Sequence, residues 1–224
     1  MITLHHLEYS QSFRILWLLE ELDADYELKL YERDPQTLLA PAAYKALSPT
    51  GAAPVIADDD LVLAESSAIV DYILDQYPEG TLRPPVGHPD RTRYLFWLHA
   101  AQGSMMPILL MDSVFRIIEA RVPFIIRALI RTVLRRATDG FCRPRLDLLL
   151  EKAEHDLASA PWFGGAELTA ADIVLCYPME GARQRGYLTA AHPHCHAWLE
   201  RLEAQPGFMR AKARDGRPGI VLPL

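Results

Sequence analysis

Four prolines and two glycines fall between Pro78 and Pro89, and the chain on either side of that segment follows different periodicities. Before it, strand and helix signals alternate. Ile2 to His6 is a short apolar-alternating run, and Ser10 to Ser12 offer polar helix-capping residues. Phe13 to Leu22 then places Ile15, Leu16, Leu18, Leu19 and Leu22 at helical spacing. Tyr26 to Tyr31 alternates again, and Pro41 to Leu47 reads as a helical turn. Pro54 to Ala57 and Leu61 to Ala64 flank an acidic Asp58-Asp59-Asp60 turn, which predicts a hairpin. From Ser66, Ile69, Val70, Ile73 and Leu74 keep helical spacing up to Tyr77, and Pro78 stops the run. The order is βαβαββα. Its first strand, helix and second strand form a crossover that makes those strands parallel, while the hairpin adds antiparallel ones.

After Pro89 no strand pattern returns. Arg91 to Met106 and Ile108 to Ala120 carry helical periodicity interrupted at Pro107. Phe124 to Ala137 follows Pro123, and then come Leu146 to Leu157, Ala170 to Arg185 and Ala197 to Ala204. Thr169-Ala170-Ala171-Asp172 matches a capping box, with Leu168 and Ile173 at the positions of a hydrophobic staple. The expected organisation is an α/β N-terminal domain over residues 1–78, a linker over 79–89 and an all-α helical domain over 90–224.

Charge divides at the same place. Residues 1–88 carry 5 Lys and Arg against 15 Asp and Glu, and residues 89–224 carry 18 against 14, so net charge runs from −10 to +4. The total of −6 excludes a general nucleic-acid binder. Half of the 224 residues are hydrophobic, which excludes a disordered chain, yet no apolar run approaches the ~18 residues of a membrane span. The Met1-Ile2-Thr3-Leu4 start has no basic segment or cleavage motif, so the expected location is cytoplasmic, without membrane association.

Several residues are candidates for chemistry. Tyr9, Ser10, Gln11 and Ser12 follow a strand and open a helix, where backbone amides favour an anion; simple capping by Ser10 or Ser12 is the alternative. Glu65-Ser66-Ser67 opens a second helix on the same edge of the expected sheet. Ala53-Pro54 sits where the third strand begins, and pattern alone leaves its isomer open. Arg127, Arg131 and Arg135 recur opposite Ile125, Leu129 and Val133, which reads as a solvated basic face over a packed one, with a docking site for an anionic electrophile or a contact with a partner subunit's acidic domain as the alternatives. Trp97, Met105, Met106, Met111 and Phe115 read as core, with an apolar pocket wall as the alternative. His192, His194, Cys195 and His196 read as a helix start after Pro193 rather than a metal site, and Cys142, Cys176 and Cys195 form no zinc-ligand spacing, so no metal is expected.

The run Leu7-Glu8-Tyr9-Ser10-Gln11-Ser12-Phe13-Arg14-Ile15-Leu16-Trp17-Leu18-Leu19-Glu20-Glu21-Leu22, followed by Gly51-Ala52-Ala53-Pro54-Val55, Leu63-Ala64-Glu65-Ser66-Ser67-Ala68-Ile69 and Leu168-Thr169-Ala170-Ala171-Asp172-Ile173, resembles a cytosolic glutathione S-transferase. The likeness is greatest to serine-type, theta-like members of bacteria and fungi. It implies a thioredoxin-like N-terminal domain that binds glutathione as co-substrate, a helical domain that receives a small-molecule electrophile, a homodimer and a role in detoxification.

By the same resemblance, Ser10, four residues before Arg14, is the serine that hydrogen-bonds the glutathione sulfur. The backbone of Ala53 pairs with the cysteinyl part, Pro54 is a cis-proline, and Glu65 and Ser66 hold the γ-glutamyl end. Tyr9 is the alternative thiol donor. Many members carry Lys, Arg or Gln where this chain has Ala52, so the glycine end lacks that contact; another basic residue such as Lys45 is a possible substitute.

The implied mechanism follows from thiol acidity. A free thiol titrates near ~8.5, so a hydroxyl that stabilises the thiolate raises the reactive fraction at neutral pH. Residues 1–141 hold no cysteine, which leaves a glutaredoxin-like mechanism without an attacking sulfur. A disulfide reductase that uses only glutathione thiols and a non-catalytic glutathione or hydrophobic-ligand binding protein are the alternative functions.

Overall fold

The computed structural model describes residues 1–78 and 82–221, so the start of the expected linker, residues 79–81, lies outside the described residues. Strand β1 (Ile2–Leu7) occupies an inner position in a four-stranded sheet of order β2-β1-β3-β4. It is buried at nearly every residue, His5 and His6 included, because helices cover both faces of the sheet. Helix α1 (Ser12–Glu21) crosses to β2 (Tyr26–Tyr31), which pairs parallel with β1 from Ile2↔Tyr26 to Leu7↔Tyr31. After the short helix α2 (Ala42–Lys45), β3 (Val55–Asp58) and β4 (Leu61–Ala64) form the expected hairpin, with β3 antiparallel to β1 through Leu4↔Ile56. Asp59 takes a left-handed φ of 50° in the turn, a conformation that Asp tolerates. Helix α3 (Ser66–Gln76) completes the βαβαββα order of a thioredoxin-like domain.

The helical part departs from the expected break at Pro107, whereas the separation at Pro123 is observed. Helix α4 (Arg91–Ala100) runs through a widened π turn at Ala101–Met105 directly into α5 (Met106–Arg121). Pro107 lies in the first turn of α5 and does not end the helix. The same device recurs after α6 (Phe124–Ala137), where a π turn at Thr138–Cys142 leads into α7 (Arg143–Ser159), again with a proline in its first turn. A widened turn accommodates a residue that has no N–H to return to the preceding turn.

Helix α8 (Ala170–Gln184) is the central element, with its first seven residues buried. Its capping box forms as the sequence predicts. Asp172, fully buried, accepts the Thr169 amide at 3.0 Å and hydroxyl at 2.9 Å on one oxygen, and the Phe163 amide at 2.7 Å and Trp198 indole at 3.0 Å on the other. The backbone carbonyl of Leu82 accepts the Ala170 amide at 2.9 Å, which ties the inter-domain segment to the same helix start.

Helix α9 (Pro193–Glu203) begins at the histidine cluster, where Glu154 accepts the amides of His194 at 2.8 Å and Cys195 at 3.0 Å. A carboxylate at a helix N-terminus satisfies free amides and the helix dipole together. Helix α10 (Pro206–Asp215), beyond the last helix the periodicity indicates, returns to lie on α1. Phe208 packs edge-on against Phe13 and Trp17 at centroid distances of 5.3 and 5.2 Å. Gly207 permits this approach, since a Cβ there would come within 3.0 Å of the Glu21 Cα. The charge asymmetry meets at this contact: Glu20 pairs with Arg210 at 3.1 Å and Arg214 at 3.0 Å, and Glu8 pairs with Arg217 at 3.1 Å.

Candidate active site

The loop from Glu8 to Gln11 joins β1 to α1 and faces the helical part. Tyr9 adopts a left-handed φ of 49°, uncommon for a non-glycine residue, and its carbonyl is held from both domains. The Arg33 guanidinium donates to it at 3.3 Å and the Tyr177 hydroxyl of α8 at 3.2 Å. Arg33 also donates to the carbonyls of Glu8 and Leu38, so one side chain staples the loop to the segment after β2.

Ser10 is buried, and no side-chain oxygen caps α1 at the residue before it, Gln11. The Ser10 hydroxyl donates to the Leu7 carbonyl at 2.7 Å, lies 2.7 Å from the Ser12 hydroxyl and accepts the Ser12 amide at 3.2 Å. Ser12 continues the network: its Oγ is 2.8 Å from His6 Nδ1, and His6 Nε2 is 2.8 Å from Asp215 Oδ1 of α10. With the Nε2 proton given to the Asp215 carboxylate, Nδ1 is an acceptor and fixes the Ser12 proton toward the ring. Ser12 Oγ then accepts from the Leu7 amide, 3.1 Å away, and the single Ser10 proton is shared between the Leu7 carbonyl and Ser12 Oγ, each 2.7 Å away. The sequence gives no sign of His6 and Asp215 as part of this site, because 209 residues separate them.

The other sequence candidates gather on the same edge. The Ala53–Pro54 peptide is cis. Glu65 precedes α3 with a left-handed φ of 78°, and Ser66 opens that helix. The Ser66 hydroxyl lies 3.4 Å from Gln11 Oε1, which brings the N-termini of α1 and α3 side by side. Lys45 packs its stem against Gly51, beside the Ala52 turn.

Next to the loop is a cavity of about 240 Å³, bounded by Tyr9 and Gln11 on one side and by α5 and α8 on the other. Met106 belongs to its wall, whereas Trp97 and Met105 are fully buried core and Met111 and Phe115 pack against that core. Behind Tyr177, the wholly buried Arg14 donates to Gln102 of the first π turn at 2.8 Å and sets its guanidinium carbon 5.3 Å from the Tyr177 ring centre. Its Nε and Nη2 have no hydrogen-bond partner among the described residues. Burial pushes Arg14 down to about 10.

All three cysteines are buried thiols, and burial raises each of them, Cys176 to about 12. Among the described residues no three His, Cys, Asp or Glu side chains gather as a metal site, and no helix is long and apolar enough to cross a membrane. The basic helix α6 differs from its sequence reading: Ile125, Leu129 and Val133 are exposed rather than packed.

A thioredoxin-like sheet with a cis-proline turn and two adjoining helix starts, set across a largely apolar cavity from an all-helical part, defines the class of the fold. Residues 10–76 match the glutathione S-transferase N-terminal domain, and residues 127–206 match the glutathione S-transferase C-terminal domain. Glutathione S-transferase 3 of Schizosaccharomyces pombe is 32% identical over 92% of this chain and 84% of its own length. Glutathione S-transferase 1 of Saccharomyces cerevisiae is 24% identical over 96% and 95%. A crystal structure of a glutathione S-transferase from Actinobacillus pleuropneumoniae superimposes with a TM-score of 0.79 and 31% identity, covering 98% of this chain and 94% of that one. The chain belongs to the glutathione S-transferase family.

Proposed function

We propose that this chain is a serine-type, theta-like glutathione transferase in which glutathione, the co-substrate, is ionised beside Ser10 and its sulfur adds to an electrophilic small molecule in the cavity. The observation that carries the reading is the meeting of the α1 and α3 N-termini at Gln11 and Ser66, next to the Pro54 turn. Helix N-termini favour anions, and glutathione offers a γ-glutamyl carboxylate and a thiolate to two of them. In this assignment Glu65 and Ser66 hold the γ-glutamyl end, the Ala53 backbone pairs with the cysteinyl part, Pro54 shapes the turn, and Lys45 is the nearby cation for the glycine carboxylate that Ala52 does not reach. The domains are residues 1–78 for glutathione and 90–224 for the electrophile, joined by 79–89.

Ser10 acts by exchanging its hydrogen bond. Its proton, shared in this structure between the Leu7 carbonyl and Ser12 Oγ at 2.7 Å, turns to the ligand sulfur. The lone pairs of Ser10 remain engaged by the Ser12 amide. A donor to the thiolate favours the charged form and lowers the thiol pKa, each unit being worth ~1.4 kcal/mol. The transferase relatives favour this reading over the two alternatives, a disulfide reductase that uses only glutathione thiols and a non-catalytic glutathione or hydrophobic-ligand binding protein. Tyr9 is the second reading for the thiol donor, because it lines the cavity.

The test is a pH titration of thiolate ultraviolet absorbance in the glutathione-loaded protein. The wild type is expected to hold the thiol at least about one unit below its free value of ~8.5, and Ser10→Ala to return most of that shift while Tyr9→Phe leaves it. The reverse pattern assigns the role to Tyr9. A bound thiol that titrates at its free value in the wild type defeats the transferase mechanism.

We further propose a cytoplasmic homodimer with a detoxifying role. The support for the dimer is the uncovered apolar face of α6, since contiguous exposed apolar surface marks an interaction site.

A further inference from the structure

We infer that the electrophile taken by this chain is a small apolar compound that carries an anionic group, and that Arg185 reads that group. The inference rests on the transferase reading and deepens it at the same cleft. The walls supplied by Met106, Leu109, Leu110 and Ile117 are apolar. The charged residues that line the cavity are Arg33 and Arg185; no carboxylate does so among the described residues. A cavity of ~150 Å³ takes benzene, so the volume of about 240 Å³ suits one substituted ring.

Among the described residues Arg33 has no carboxylate within ion-pair distance, and Arg185 has only Asp112, 3.8 Å from its Nε. Among the described residues the Arg33 guanidinium donates to the carbonyls of Glu8, Tyr9 and Leu38. Arg185 donates to the Gly181 carbonyl and to the Ser113 hydroxyl, each at 2.8 Å, and among the described residues its buried Nε has no hydrogen-bond partner. The acids nearby make their shorter contacts with other groups. Asp112 sits 2.8 Å from Arg116 but 3.8 Å from Arg185, and Glu8 accepts from the Arg33 amide and pairs with Arg217. Burial lowers the pKa of both lining arginines, as expected of charge held out of water without full compensation. Arg14, Arg33 and Arg185 all bear on the Tyr177 phenol between the two domains.

The two arginines divide between the substrates. Arg33 belongs to the glutathione domain and braces the Tyr9 carbonyl at the loop that carries Ser10. Arg185 ends α8 and, bonded to Ser113 of α5, stands on the wall that receives the acceptor. An incoming carboxylate would complete the charge that Asp112 leaves open. In a low-dielectric cleft such pairing is stronger than in water.

The test uses two product-shaped ligands of equal size, S-(4-carboxybenzyl)glutathione and S-(4-carbamoylbenzyl)glutathione, titrated calorimetrically into the full chain beside glutathione itself. The carboxylate is expected to bind at least tenfold more tightly than the amide in the wild type at low salt, with the gap narrowing as salt rises. Arg185→Gln is expected to close the gap to within twofold, and Arg185→Lys to retain most of it. Equal or weaker binding of the carboxylate in the wild type overturns the inference, whether or not either variant folds. A gap that survives in folded Arg185→Gln also overturns it. If glutathione binds but neither conjugate does, this inference falls and the transferase reading stands. Failure of glutathione itself to bind removes both.

Discussion

Arg14 illustrates how much of this site is decided by single side chains out of contact with water. A buried guanidinium with one hydrogen bond at 2.8 Å, to Gln102, is costly for the fold. What it contributes is positive potential behind Tyr177, in a domain whose net charge opposes an anion. The hydroxyls of Ser10 and Ser12 act on a shorter scale, each held within 3.2 Å of its partners by the end of β1 and the start of α1. His5, the neighbour of His6 on the opposite face of the strand, gives a pH prediction at this scale. Burial, reinforced by Lys29, holds its imidazole below the ordinary 6.5. The unfolded chain therefore takes up this proton at a higher pH than the folded one. Stability is present above about pH 6.5 and declines as pH falls through the folded value. Urea unfolding at pH 7.5 and 5.5 is expected to show that loss, and His5→Gln to reduce it.

Among the elements, α8 carries the most. Its start is fixed by a carboxylate that satisfies four donors from Thr169, Phe163 and Trp198, while its middle carries Tyr177 and its far end Arg185 to the cavity. Thr169→Ala, which removes one hydroxyl from the capping box, is expected to cost ~1 kcal/mol. Asp172→Ala strands several buried donors at once and is expected to cost about 3 kcal/mol or more in denaturant unfolding. A loss below ~1 kcal/mol for Asp172→Ala would mean that the network is not what anchors the helix. The π turns belong to this scale too. The one at Ala101–Met105 carries Gln102 to Arg14 while letting Pro107 sit inside a helix that continues.

At the scale of the whole molecule, the acidic N-terminal domain and the more basic helical domain are matched where α10 returns to α1. Glu20, Arg210 and Arg214 pair there beside Phe208, and the His6–Asp215 contact runs beneath the serine network. The outer face of α6 has no such match. Phe124, Ile125 and Leu129 are 82, 78 and 67% exposed, on a helix whose charged residues are all arginine. With the homodimer proposed above, sedimentation is expected to give twice the 25.3 kDa chain mass. The double variant Ile125→Glu, Leu129→Glu is expected to shift that toward the monomer. An unchanged dimer in the variant would place the interface elsewhere.

Local periodicity was enough to determine the βαβαββα order, the hairpin around Asp59, the capping box at Thr169 and the helices from α4 to α9, though not α10, because each depends on residues within one or two turns of each other. The motifs around Ser10, Pro54 and Glu65 were legible for the same reason. The isomer of the Ala53–Pro54 bond, read only through family resemblance, is not set by its neighbours in sequence. Tertiary structure alone decided the rest. Pro107 reads as a break, and the helix passes it through a widened turn; Ile125, Leu129 and Val133 read as a packed face, and nothing in this chain covers them among the described residues. Asp215 reaches His6, Tyr177 reaches the Tyr9 carbonyl, and Arg33 and Arg185 meet at one cavity. Such contacts join groups far apart in sequence, and their strength comes from shared exclusion from water, a property that no local pattern records.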